Sequence, residues 1–149
     1  MASHLRRQIR EGVATAITGL ATTGSRVFQS RVYPLADADL PALCVYCEQE
    51  SSEVSTIHPH RTLDRKVEVI VEGVAKTYTD LDDTLDQIAK EVEIALANPV
   101  SALSGKATEV TLRASEMGFA GSAEKPVGRI RMTYEVEYFA AENAPDVAL

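Results

Sequence analysis

The sequence is poor in the features of membrane proteins and of secreted disulfide-rich proteins. It contains two cysteines among 149 residues, and no apolar run approaches the ~20 residues that a membrane-spanning helix needs. Arg6 and Arg7 lie near the start, but no apolar segment follows them, so we expect no signal peptide. These absences favour a globular protein of a reducing compartment, with no membrane among its partners.

The sequence also lacks common catalytic motifs. It has neither a G-x-S-x-G nucleophile elbow nor a G-x-x-x-x-G-K phosphate loop. Cys44 and Cys47 form a C-x-x-C pair within a predicted strand, where residues three apart face opposite sides, so we expect the thiols to diverge. His58 and His60 do not complete the usual zinc spacing. We therefore predict no enzyme, no metal and no cofactor; a small thiol- or zinc-dependent protein built on Cys44 and Cys47 is the alternative from a different class.

Charge is distributed unevenly along the chain. The net charge of −7 argues against a protein that coats a nucleic-acid duplex. Residues 1–31 contain five arginines and one glutamate, whereas residues 80–97 contain four aspartates, two glutamates and one lysine. Two solvated helix faces would explain this pattern. The alternative is a subunit interface in which the basic end of one copy meets the acidic helix of another, through Arg6, Arg7, Arg10, Asp82, Asp83 and Asp86.

Apolar residues spaced three and four apart predict two helices. The first runs from Ser3 to Ala21, with its apolar stripe between Leu5 and Leu20. The second is capped by Thr79 or Asp80, carries an apolar stripe from Leu81 to Leu96, and stops at Asn98-Pro99 because proline cannot continue a helix.

Alternation of apolar and polar residues predicts the strands, most clearly in the last one, from Gly128 to Tyr138. The other predicted strands are Arg26–Tyr33, Leu43–Gln49, Leu63–Val71 and Ala107–Glu116. The predicted connections include loops at Pro34–Pro41 and Glu50–Pro59 and a turn region at Gly118–Pro126.

The resulting order α-β-β-β-α-β-β predicts an α+β fold. We expect one mixed, mostly antiparallel sheet of four to five strands, with both helices packed on its apolar face. Residues 1–140 would form a single domain and residues 141–149 a loose C-terminal tail.

Several segments, in matching order, resemble the tail-terminator proteins of long-tailed phages and prophages, the minor tail protein U type. The similarity covers about Leu5 to Phe139, and no family role falls on the C-x-x-C pair. The segments are Arg26-Val-Phe, Ser30-Arg-Val-Tyr-Pro-Leu, Asp39-Leu-Pro-Ala-Leu, Val45-Tyr46, Arg61-Thr-Leu-Asp-Arg, Val71-Glu-Gly-Val-Ala-Lys76, Leu81-Asp-Asp-Thr-Leu-Asp86 and Lys125-Pro-Val-Gly.

The resemblance implies a structural virion protein without a reaction or cofactor. Six copies would close into a ring on the head-proximal end of the tail tube, stop tube polymerisation and offer a surface to the head or neck. Its partners would be other copies, the tail tube protein and a head or neck connector, while genomic DNA only passes through the ring. Assembly would take place in the bacterial host cytoplasm. Another neck or head–tail joining component is the alternative within this class.

Two predicted exposed regions are candidates for the tube or neck contact. One is the loop between Glu50 and Pro59, because long loops in compact domains are often functional. The other is the polar face of the last strand, where two arginines share one side. The predicted contact residues are Ser51, Ser52, Glu53, His58, His60, Arg129 and Arg131.

Overall fold

The computed structural model describes residues 2–29, 39–77, 79–98, 103–120 and 127–149. It confirms the predicted α+β class and the predicted order of elements. In chain order the elements are α1 (Leu5–Ala16), β1 (Val27–Phe28), β2 (Ala42–Val54), β3 (Thr62–Lys76), α2 (Leu81–Ala95), β4 (Glu109–Ala120) and β5 (Val127–Ala141).

The described strands form one five-stranded sheet in the order β1-β2-β3-β5-β4. β1 is parallel to β2 and every other neighbouring pair is antiparallel, so the prediction of a mixed, mostly antiparallel sheet is confirmed. β3 is central, because it pairs with β2 from Leu63 to Val74 and with β5 along its whole length. β4 therefore lies at one edge of the sheet, and β2 lies at or next to the other edge.

Both helices pack on the same face of the sheet, as predicted. α1 contacts β2, while α2 contacts β3 and β5. We call this the helix face and the opposite side the outer face. Burial of these apolar side chains supplies the main driving force for folding. The core joins Leu5, Ile9, Val13 and Ile17 near α1, Leu85, Ile88 and Val92 of α2, and Val67, Val69, Val71, Ile130, Met132 and Val136 of the strands.

Two glycines on the helix face let α2 approach the sheet closely. A Cβ atom added at Gly73 would lie 2.8 Å from Cγ2 of Ile88, and one added at Gly128 would lie 3.0 Å from Cδ2 of Leu81. Neither neighbour leaves room for a side chain at these positions. The pair therefore fixes α2 above β3 and β5.

The first helix is shorter than predicted. It ends at Ala16 rather than at Ala21, and Gly19 has a φ of 87°, in the left-handed region that favours glycine. Ile17 remains fully buried and Leu20 packs against the core. The apolar stripe continues past the end of the helix, which explains why its spacing predicts a longer one.

The second helix matches its prediction, except at its start. Asp80 occupies the N-cap position with a φ of 48°, but its side chain makes no capping hydrogen bond. Its carboxylate instead accepts a hydrogen bond from the Thr79 hydroxyl at 2.9 Å. The helix ends at Ala95, and Pro99 lies outside the described residues.

Two strands extend into regions predicted as loop or turn. β2 continues to Val54, so the predicted loop Glu50–Pro59 is wrong for its first five residues. β4 continues to Ala120, so the predicted turn is wrong for Gly118 to Ala120. Side chains from Ser51 to Val54 are exposed, and so is that of Phe119, so the missed residues show no clear alternation of buried and exposed positions to reveal a strand.

The remaining strand predictions have different outcomes. β5 is confirmed, with alternate residues buried from Gly128 to Ala140. β1 contains only Val27 and Phe28. The predicted first strand is wrong at Arg26 and Gln29, which are described and are not in a strand. Its remaining residues, and most of the predicted loop Pro34–Pro41, fall on residues 30–38, outside the described residues.

Residues after β5 contact α1 and β5. The Leu5 N–H donates to the Pro145 carbonyl at 2.9 Å and the Leu149 N–H donates to the Phe139 carbonyl at 3.1 Å. The Gln8 side-chain amide donates to the Asp146 carbonyl at 3.0 Å. The division into a domain at 1–140 and a tail at 141–149 stays a prediction.

Candidate functional site

The two oppositely charged helices lie over different strands of the sheet, although both are on the helix face. α1 packs above β2, and two of its arginines reach towards that side. Arg6 donates to the Glu50 carboxylate of β2 at 3.2 Å, and Arg10 donates to the Gln29 side chain, just after β1, at 3.1 Å. Arg7 instead pairs with Glu11 on the exposed side of α1 at 2.7 Å. Arg6 and Arg10 therefore belong to the β2 side of the molecule.

The acidic residues of α2 divide between its two flanks. Glu91 faces the segment that leaves α1, because its carboxylate accepts from the Thr22 N–H at 2.9 Å and from the Thr22 hydroxyl at 2.6 Å. Burial alone would raise the pKa of Glu91, but the hydrogen bonds donated by Thr22 and Gln87 outweigh it and lower the pKa. Glu91 therefore identifies the flank of α2 that faces α1.

The other flank of α2 faces β4. At 100° per residue, Asp82, Asp86 and Glu93 lie opposite Glu91 across the buried stripe of the helix. Asp83 instead points away from the sheet. These four side chains, unlike that of Glu91, are exposed. Of the three predicted acidic interface residues, the structure brings Asp82 and Asp86 together on one flank, with Glu93 as an addition that the sequence did not single out.

Glu50 is the centre of a polar cluster at the start of α1. Its side chain is only 9% exposed and forms ion pairs with Arg6 at 3.2 Å and with Arg65 at 3.4 Å. The buried Tyr138 hydroxyl lies 3.0 Å from both carboxylate oxygens and donates to them. The cluster thus joins α1 to β2, β3 and β5. Because the Glu50 carboxylate has three side-chain partners on different elements, it holds these elements together.

His4 and the tyrosine of this cluster have shifted pKa values. The His4 ring accepts from the Arg6 N–H at 3.1 Å and lies 3.2 Å from the Arg65 guanidinium. Burial, followed by the Arg6 charge, lowers the pKa of His4. Burial raises the pKa of Tyr138 to about 12. Sequence reasoning missed the cluster, although Arg65 carries a signal: strand periodicity places it on the apolar face of β3.

The outer face carries a second group of paired charges. Arg131 forms an ion pair with Glu48, and the Tyr46 hydroxyl donates to the buried Glu72 carboxylate at 2.6 Å. Burial, together with this hydrogen bond, raises the pKa of Tyr46 to about 12. A shallow depression of about 220 Å³ beside Arg129 and Arg131 is also lined by Glu72 and Glu116. The two arginines therefore lie among acids and do not form a uniformly basic surface.

The predicted tube or neck residues lie in two separate places. Ser51, Ser52 and Glu53 are exposed near the end of β2, and His58 and His60 are exposed in the following loop. Arg129 and Arg131 pair in register with Val74 and Glu72, at the opposite end of β3. Nine residues separate Leu63 from Glu72, a distance of about 30 Å along a strand. Whether either region contacts a partner stays a prediction.

Cys44 and Cys47 lie on opposite faces of β2. Cys44 is opposite Glu72 on the outer face, whereas Cys47 is opposite Val69 on the helix face. Cys44 is buried and Cys47 is half-buried. The predicted divergence of the thiols is confirmed, and the pair cannot bind a common metal ion without rebuilding the strand.

Two kinds of feature are missing from the described ranges. No three His, Cys, Asp or Glu side chains within them come together in a way that could hold a metal ion. No helix within those ranges is long and apolar enough to cross a membrane.

Comparison with known proteins gives a weak structural similarity. No protein-family model matches the sequence, and no curated protein matches it. Among solved structures, a chain described as "Virion of native gene transfer agent (GTA) particle" aligns with 90% of this chain and 92% of that chain, with a TM-score of 0.44 and 12% sequence identity. Similarity at this level establishes neither a common family nor a common function.

Proposed function

We propose that this chain is a structural subunit of a phage or prophage virion, a tail terminator that forms a hexameric ring on the head-proximal end of the tail tube. The ordered segments that resemble tail terminators support the identification. The observation that carries ring formation is the position of basic α1 above β2 and of the acidic flank of α2 towards β4. Opposite charges on two different surfaces suit a head-to-tail interface, which closes into a ring when the rotation between copies allows it.

In this proposal the ring stops polymerisation of the tail tube and offers its other surface to the head or neck, while genomic DNA passes through its opening. The protein performs no reaction and needs no cofactor. The exposed end of the β2–β3 hairpin, with His58 and His60, is assigned to contact with the tube or neck. Since this end carries no apolar core residue, changes there should leave the subunit folded.

The mass of the protein in solution tests ring formation. Light scattering over a range of concentrations should detect a species with six times the 16.1 kDa mass of one chain. A stable dimer would contradict the proposal, because a two-fold interface uses the same patch on both copies and does not by itself build this ring.

Tail morphology tests the virion role. Deleting the gene from the phage or prophage that carries it should give tails of abnormal length that lack heads, as seen by electron microscopy, and a plasmid copy should restore normal particles. Infectious particles of normal shape in the absence of the gene would refute the proposal.

The hairpin assignment needs point substitutions, because residues 51–54 pair with β3 and their deletion would remove part of the sheet. Replacing His58 and His60 by alanine should preserve the mass of the ring and abolish tail termination. Normal termination by this variant would reject the hairpin as the contact surface.

A further inference from the structure

β4 presents an unpaired edge and an exposed apolar strip. Among the described strands it pairs only with β5, so its other edge offers backbone hydrogen-bonding groups. Met117 and Phe119 are 54% and 58% exposed. Their register partners, Ile130 and Gly128, lie on the helix face, so both side chains belong to that face. α2 does not cover them, because it packs above β3 and β5.

The end of β2, on the other side of the sheet, presents a second edge with which no described strand pairs. β1 pairs only with Leu43 and Cys44, and between Glu48 and Val54 no described strand lies on that side of β2. α1 packs above β2 and carries Arg6 and Arg10 towards this edge. Long unpaired edges are usually protected in native proteins, because they readily pair with another chain.

We infer that β4 of one copy pairs through its first residues, Glu109–Leu112, with the open end of β2 of the next copy, which is level with them across the sheet. Met117 is level with Leu43, where β1 pairs, so Met117 and Phe119 then lie against β1 of the next copy and the part of α1 that reaches β1 through Arg10. Within the sheet β2 and β4 run in opposite directions. Copies related by rotation about an axis along the strands would therefore meet through an antiparallel ladder. This pairing deepens the proposed ring and rests on it for the number of copies.

The charges of the two helices fit this pairing. With β2 of the next copy beside β4, the next copy's α1 lies across from the β4 flank of α2. Arg6 and Arg10 then face Asp82, Asp86 and Glu93. A single joint thus pairs two open edges, covers an apolar strip and brings opposite charges together. The open edges and the apolar strip need a partner, and the opposite charges on the two flanks identify a second copy of the chain as that partner.

Charge reversal tests the joint. Arg10 is the better basic probe, because Arg6 also belongs to the Glu50 cluster. Arg10→Glu and Asp86→Lys should each weaken self-association by roughly tenfold or more, as measured by sedimentation over a concentration series. Asp83→Lys changes charge equally but points away from the joint, so it should associate like the wild type. Circular dichroism and thermal unfolding verify that each variant is folded.

Mixing distinguishes this joint from a general charge effect. Equal amounts of Arg10→Glu and Asp86→Lys protein should assemble again. At every second joint the two substituted positions face each other with their charges exchanged, and at the alternate joints the native Arg10 faces the native Asp86. Failure of the mixture to assemble, or equal weakening by Asp83→Lys, would overturn the inference. A wild-type chain that stays monomeric at every accessible concentration would also overturn it.

The apolar strip provides a second test. Phe119→Lys should prevent association, whereas Ile94→Lys should not, because Ile94 is 67% exposed on the side of α2 that points away from the sheet. Equal weakening of self-association by Phe119→Lys and Ile94→Lys would overturn the inference. The proposed function and the joint can fail separately. If the wild-type chain assembles and the substitutions weaken that assembly as expected, but the chain does not terminate tails, the proposed function is rejected and the joint is retained.

Discussion

Replacement of Glu50 by alanine removes the carboxylate that joins α1 to three strands. The change leaves two side chains without their partner: Arg65, which is 12% exposed, and Tyr138, which is fully buried. Arg6 is 45% exposed and can return to water, so its lost ion pair should contribute little. The cost of Glu50→Ala therefore comes from a buried guanidinium without its counter-ion and from a buried hydroxyl without its acceptor.

The expected loss of stability follows from these two groups. Breaking a buried ion pair by removing one partner costs about 3–5 kcal/mol, a range that already includes the stranded charge. The orphaned hydroxyl acts in the same place, so we do not add it separately. At roughly 2–4 °C per kcal/mol for a chain of this size, the melting temperature should fall by about 6–20 °C.

Glu48 provides a matched control on the same strand. It also forms an ion pair with an arginine, Arg131, but the two side chains are 42% and 33% exposed. Exposed pairs of this kind contribute about 0–1 kcal/mol. Urea unfolding monitored by circular dichroism should therefore separate Glu50→Ala clearly from Glu48→Ala at an unchanged m-value.

Equal effects of the two alanine substitutions would refute this reasoning. Glu50→Gln adds a further check, because glutamine still offers Tyr138 an acceptor and lacks only the charge that Arg65 requires. Its loss of stability should lie between those of Glu48→Ala and Glu50→Ala. A glutamine variant as stable as the wild type would show that the Arg65 charge needs no partner.

Three further predictions concern packing and pH. Gly73→Ala should cost about 1–3 kcal/mol in urea unfolding, because the new methyl group meets Ile88 at 2.8 Å; an unchanged midpoint would show that α2 moves freely. The lowered pKa of His4 adds stability that is complete above its unfolded value of 6.5 and is lost as pH falls through the folded value, so His4→Asn should flatten the pH dependence of unfolding in that range. The pKa of Tyr46, raised from 10.0 to about 12, adds stability that is lost as pH rises through this interval; Tyr46→Phe should reduce that alkaline loss, and an identical alkaline profile would contradict the hydrogen bond to Glu72.

Sequence periodicity predicts the elements that have one buried side and one more exposed side. β5 alternates between buried and partly exposed residues from Gly128 to Ala140, and α2 buries a single stripe from Leu85 to Val92, which Leu96 continues just after the helix. In both elements burial on one side selects apolar residues at the period of the backbone. The pattern and the structure agree there because the same physical cause produces both.

Periodicity fails where backbone pairing alone defines a strand. The end of β2, from Glu50 to Val54, is held by its pairing with β3, while its side chains are mostly exposed on both faces. The end of β4, from Gly118 to Ala120, is held in the same way by its pairing with β5. Neither segment alternates clearly between buried and exposed residues, so periodicity does not reveal a strand there. Only the position of a partner strand, distant in sequence, identifies these segments as strands.

The residues of the candidate interface are also only partly predictable from the sequence. The opposite charges of the two helices are visible in the sequence. By contrast, Asp86 and Glu93 can be assigned to the β4 flank of α2 only when the rotation of the helix on the sheet is known. The exposure of Met117 and Phe119 depends on β4 being the outermost strand. That placement follows from the sheet order β3-β5-β4, which is decided by long-range pairing and not by local residues.

The hydrogen bond between the Leu5 N–H and the Pro145 carbonyl makes the two terminal segments neighbours in space. The chain is therefore suited to circular permutation, with its ends joined by a short glycine-serine linker and a new break at residues 57–60. All strand pairings of the sheet are retained in such a permutant. Its new termini would lie at the tip of the β2–β3 hairpin, next to the open end of β2, so a reporter fused there would show whether this end of the subunit is accessible in the assembled particle.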